Sequence, residues 1–141
     1  MIQRIQSIYL LLGALALVGV LLLSELWLGT VGEQLPWLRP VLVVLNVVPA
    51  LLAILSIFLY KDRARQRKFV LVVQMLTVVF MLLLFGGLYM AQSLPVLSGE
   101  AVDTGGLLLL GLPVLAYLFF FLGRRGIDKD IALIRSVDRL R

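Results

Sequence analysis

Four apolar stretches, residues 5–28, 40–60, 69–91 and 106–123, dominate the chain, and the polar positions gather between them. Crossing a hydrocarbon core about 30 Å thick takes roughly 20 apolar residues in a helix, which each stretch approaches or exceeds. The first contains fourteen Leu, Ile or Val residues. At roughly −0.3 to −0.6 kcal/mol each, these contribute about −4 to −8 kcal/mol to insertion. A cleavable signal peptide is the rival reading there, since Arg4 gives a basic start and Ala14-Leu15-Ala16 a small-x-small pattern. That pattern lies inside an apolar run longer than the usual 7–15 residues, so a retained span is expected. The fourth stretch is the shortest: its continuous run over 107–122 covers about 24 Å at 1.5 Å per residue, and neighbouring residues must complete the crossing. Four such runs leave no wet face for a water-soluble fold. The expected class is an all-α membrane protein, with four transmembrane helices in an antiparallel bundle and a short amphipathic C-terminal helix, forming one domain over residues 1–141.

Polar groups inside the runs are few. Asn46 and Pro49 fall in the second, and Gln74 and Thr77 share a face of the third at i and i+3. Proline removes its own donor and frees the Leu45 carbonyl, so Asn46 and Pro49 read either as a kinked ligand site or as helix-packing groups. Glu25, less than a turn from the outer end of the first run and beside Trp27, reads as a snorkelling carboxylate or as a proton or cation site. Gly13, Gly86, Gly87 and Gly111 would allow close helix approach. An offset of 64 residues aligns Arg4 with Lys68, Pro49 with Pro113 and Lys61 with Arg125, as in two tandem hairpins. Paired prolines of that kind line some transporter sites.

Charge sets the direction of threading. The segment 61–68 carries Lys61, Arg63, Arg65, Arg67 and Lys68, and the tail adds Arg124, Arg125, Lys129, Arg135, Arg139 and Arg141. With Arg4, twelve of thirteen basic residues lie on one side, against Arg39 on the other. By the positive-inside rule both termini face the cytoplasm. Glu25, Glu33, Glu100 and Asp103 mark the outer side, Trp27 and Trp37 its aromatic belt, and Tyr9 and Tyr60 the inner one. The pI near 10.1 is thereby explained by span ends and by attraction to anionic lipid headgroups, with no nucleic acid required. In the tail, Ile127, Ile131, Ile134 and Val137 form an arc that Asp130 interrupts, while Arg124 with Asp128 and Asp138 with Arg141 are spaced to pair. Such a helix would lie on the membrane surface, or dock on a partner or on the basic 61–68 segment.

Histidine and cysteine are both absent, which excludes disulfides, thiolate metal sites and histidine relays. Ser7, Ser24 and Ser56 have no histidine to activate them, and paired carboxylates and phosphate-cradling glycine loops are missing. No catalytic, cofactor or metal site is expected.

The opening Met1-Ile2-Gln3-Arg4-Ile5-Gln6-Ser7-Ile8-Tyr9-Leu10-Leu11-Leu12, the junction Phe58-Leu59-Tyr60-Lys61-Asp62-Arg63 and the ending Ile134-Arg135-Ser136-Val137-Asp138-Arg139-Leu140-Arg141 resemble a family of small four-span membrane proteins of Bacteroidota known as domain of unknown function 4293. The resemblance spans the chain and implies a bacterial inner-membrane protein, without an activity or ligand to carry over. The expected role is a non-enzymatic scaffold or accessory subunit working with lipid, a membrane-protein partner or copies of itself. A small oligomeric transporter or channel using Asn46, Pro49, Gln74 or Glu25 is the alternative, and an enzyme acting on lipid comes third.

Overall fold

A computed structural model describes residues 2–94 and 104–140, without the side chains of residues 2–4 and 30. Among the described residues five helices form: α1 (Ile2–Leu22), α2 (Ser24–Gln34), α3 (Leu38–Phe58), α4 (Arg63–Met90) and α5 (Thr104–Asp138). Among the described residues there is no strand. α1, α3, α4 and α5 each contain a window long and apolar enough to cross a membrane. They close a ring in which α1 packs on α3 and α5, and α4 on α3 and α5. Contacts at one end show antiparallel neighbours: Gln6 meets Asp130 where α1 starts and α5 leaves the bundle, and Ser56 meets Gln66 across the α3–α4 turn.

The bundle is held by a 3.5-residue repeat. Buried positions on α5 are Gly106, Leu109, Pro113, Ala116, Phe120, Gly123, Ile127 and Asp130, alternately three and four apart. α4 repeats the spacing through Gln66, Val70, Val73, Thr77, Phe80, Leu84 and Gly87. That spacing is the seam of left-handed helix packing. The seams are rich in small and polar residues, whereas the outward faces carry Leu22, Leu82 and many other exposed aliphatic side chains. A water-soluble bundle has the reverse distribution; lipid supplies no hydrophobic drive between helices, so close backbone approach and hydrogen bonds take over. Gly13 lies under the Phe120 ring, and Gly87 under Leu38 and Val31. Gly86 and Gly111 face open space and take no part in close approach, contrary to expectation.

Three boundaries differ from the sequence pattern. The first run does not continue to residue 28: α1 stops at Leu22, and Leu23 (φ −87°, ψ 17°) turns the chain into α2. The break persists because Trp27 donates its indole N–H to the Val20 carbonyl at 3.1 Å, and its ring packs edge-on to Phe80 at 6.4 Å. Trp27 is thus fully buried rather than part of an aromatic belt, while Trp37 stays exposed. Second, most of the basic 61–68 segment is helical. The Asp62 side chain caps α4 by accepting the Arg65 N–H at 3.1 Å, which places Arg63, Arg65, Arg67 and Lys68 in its first two turns.

Third, no separate tail helix forms; the fourth span, expected to be the shortest, continues into the tail as the longest helix, 35 residues and about 52 Å. Gly123 and Gly126 do not end it, because both serve α1: a Cβ on Gly126 would lie 2.6 Å from Gln6 Cγ, and one on Gly123 3.2 Å from Leu10. The far end of α4 closes with Gln92 at φ 52°, where the Ser93 N–H reaches the Leu88 carbonyl at 2.9 Å. Glu100 and Asp103 lie outside the described residues.

Candidate functional site

The polar side chains concentrate at the end of the bundle where α1 begins, α3 turns into α4, and α5 leaves. Asp130 is the centre. Its carboxylate accepts the Gln6 amide at 2.7 Å and pairs with the Arg63 guanidinium, joining α1, α4 and α5 through one residue. The side chains of Arg63 and Asp130 are only 14% and 10% exposed, so the pair is largely withdrawn from water. Beside it, Gln66 donates to the Ser56 carbonyl at 3.0 Å, and the Ser56 hydroxyl bonds back to Ala53 at 2.6 Å. Farther out, Arg67 pairs with Asp128. The expected i+4 pair of Arg124 with Asp128 does not form, since Asp128 faces α4 and Arg124 lies 5.8 Å from the centre of the Phe121 ring. Arg141, spaced to pair with Asp138, lies outside the described residues.

This clamp gives the tail its structure. Ile127 and Asp130 are buried, Ile131 is half-buried, and every described residue from Ala132 onward is exposed. Residues 124–131 therefore pack on the bundle, which favours docking on the 61–68 segment over apposition to the membrane. Sequence reading missed Gln6 and Gln66 and took Asp130 for an interruption. The available signal was its spacing: Asp130 continues the series Phe120, Gly123, Ile127, and a carboxylate in that register has to meet a partner in the bundle.

Two grooves flank α5 at this end. One, about 560 Å³, lies between α4 and α5 and is lined by Arg63, Arg67, Lys68 and Arg135 together with Asp128 and Ile131. The other, about 420 Å³, lies between α1 and α5 and carries Gln6, Tyr9, Arg125 and Lys129. Tyr9 stacks on Phe119 at 6.5 Å. Lys61, Arg65 and Arg139 are exposed outside both.

The residues singled out within the spans are placed differently. Asn46, Pro49, Gln74 and Thr77 are all buried, on the seams that α3 and α4 present to the bundle. Between the Ser56–Gln66 and Leu38–Gly87 contacts, antiparallel register sets Asn46 roughly level with Thr77 and Pro49 with Gln74. The Thr77 hydroxyl bonds back to the Val73 carbonyl at 2.8 Å. Asn46 Nδ2 and Gln74 Oε1 are buried with no hydrogen-bond partner, a donor and an acceptor left open in the interior. Glu25 joins neither group: it is exposed in the first turn of α2, where a carboxylate complements the helix dipole. Among the described residues no cluster of His, Cys, Asp or Glu could hold a metal ion.

Residues 37–140 match the family described as Domain of unknown function (DUF4293). The chain belongs to this family. The match takes in the 58–63 junction and the ending as far as residue 140, and leaves the opening twelve residues outside. No curated protein and no solved structure matches the chain. Within the family region, the clamp residues Arg63, Arg67, Asp128 and Asp130 bind α4 to α5, Gln66 ties α4 to α3, and Gln6 is contributed from outside it.

Proposed function

We propose that this DUF4293 member is a non-enzymatic accessory subunit of a bacterial inner-membrane assembly, with both termini in the cytoplasm and the end of α5 as its docking element. The carrying observation is that α5 outruns the bundle. Leu133, Ile134, Val137 and Leu140 are each more than half exposed, while the root of the same helix is anchored through Asp130 and Asp128. A helix end held at its base and apolar at its tip is arranged to insert into a groove on another protein. The segregation of twelve of thirteen basic residues supports the orientation, and the resemblance supports the bacterial setting. The test is recovery of cross-linked complexes from native membranes in mild detergent. The full chain should bring down a stoichiometric membrane partner that Leu133→Asp with Val137→Asp loses, with insertion unchanged. Recovery of the isolated chain alone would count against the proposal.

One observation favours a transporter or channel as the second reading: the open amide atoms of Asn46 and Gln74 beside Pro49 in the interior. Vesicles containing the purified chain would then show solute or ion flux that Asn46→Leu abolishes. If flux is absent, or unchanged in that variant, the two amides serve helix packing.

A further inference from the structure

We propose that the groove between α4 and α5 is a site for one anionic phospholipid, its phosphate held by Lys68 and Arg135. This requires the membrane placement argued above but not a docked protein. Four cations line the groove, and two are already committed: Arg63 to Asp130 and Arg67 to Asp128. Lys68 and Arg135 line it from different helices, both exposed, and neither forms an ion pair among the described residues. Counting Asp128 and Asp130 against the four cations leaves two positive charges, those of Lys68 and Arg135.

Depth and shape select lipid over a free anion. Lys68 immediately precedes the apolar run that begins at Phe69, which sets the α4 wall at headgroup level. The volume of about 560 Å³ lies within the usual range for small-molecule sites. Ile131, Ala132 and Ile134 supply an apolar wall that inorganic phosphate would not use. Steps of three and four residues down the same helix faces reach Leu71 and Met75 on α4 and Phe121 on α5, all exposed and apolar, a furrow for acyl chains below the charged mouth. The committed arginines are held in place before binding, so only Lys68 and Arg135 are left to be ordered by the lipid.

The experiment is native mass spectrometry of the full chain in detergent, titrated with phosphatidylglycerol or phosphatidylcholine. One phosphatidylglycerol should bind in preference to phosphatidylcholine. Lys68→Ala with Arg135→Ala should weaken that binding about thirtyfold, the worth of two surface cations. Ala132→Trp, which fills the groove and keeps every charge, should weaken it as well, whereas Lys61→Ala with Arg139→Ala should not. Equal loss in the control pair, full binding by Ala132→Trp, or no preference for the anionic lipid would each overturn the site. So would displacement of the lipid by millimolar inorganic phosphate, which would assign the groove to a free anion. The groove variants leave Leu133 and Val137 intact, and Leu133→Asp with Val137→Asp leaves the groove cations in place, so lipid binding and partner capture fail separately.

Discussion

Removing the Asp130 carboxylate tests whether one residue ties the two halves of the bundle together. In Asp130→Ala the Gln6 amide, only 3% exposed, loses its acceptor, and the Arg63 guanidinium loses its counter-charge. An orphaned buried amide costs about 1–3 kcal/mol. Breaking a fully buried ion pair costs about 3–5 kcal/mol, but Arg63 stands in the first turn of α4 and can swing toward water, so about 2 kcal/mol is appropriate for it. The sum is about 4 kcal/mol. Asp130→Asn keeps an acceptor for Gln6 and should recover about 1–2 kcal/mol of that loss. The assay is reversible unfolding in micelles followed by circular dichroism, run as a double-mutant cycle with Arg63→Met. A coupling energy of about 1.5–3 kcal/mol is expected for a charge-assisted bond between groups in contact. An Asp130→Ala variant within 0.5 kcal/mol of the parent, or strict additivity with Arg63→Met, would refute the clamp.

Glycine substitutions should divide by what each glycine faces. Gly13→Ala forces a methyl into the Phe120 ring and should cost about 1–3 kcal/mol, whereas Gly86→Ala meets nothing within 4 Å and should gain up to about 1 kcal/mol from helix propensity, both read by the same unfolding assay. The Trp37→Phe variant leaves Trp27 alone, and its fluorescence should resist aqueous iodide, because the ring is fully buried; strong quenching would contradict the kink at Leu23. Trp27→Phe should cost about 1 kcal/mol beyond its packing, for the lost bond to the Val20 carbonyl. The absence of native cysteine allows single-cysteine labelling in intact cells: Lys61→Cys and Leu140→Cys should react with an impermeant maleimide only after lysis, and Arg39→Cys before it. Opposite labelling of Lys61→Cys and Leu140→Cys would break the even number of crossings.

The spans were legible because burial in lipid acts on composition alone: any helix of this length and hydropathy satisfies its backbone internally, whatever it packs against. Within each span the pattern said little, since lipid-facing and protein-facing positions are both apolar and Leu82 looks no different in sequence from Leu84, though one is exposed and the other buried. Trp27 was misplaced for a related reason. Proximity to a span end is a property of the chain, but the partner that drew the ring inward, Phe80, is supplied by another helix.

The chain by itself therefore determined that four helices are long and apolar enough to cross a membrane and that basic residues gather in the segments between and after them, because insertion and charge asymmetry depend on each segment separately. Only the tertiary structure decided that the first run breaks at Leu23, that the last continues unbroken into the tail, and that Asp130 lies beneath Gln6 and Arg63. Those outcomes depend on contacts made only when the helices pack, such as Trp27 with Phe80, Gly126 with Gln6 and Asp130 with Arg63, so the identity of each partner is not encoded in any one segment.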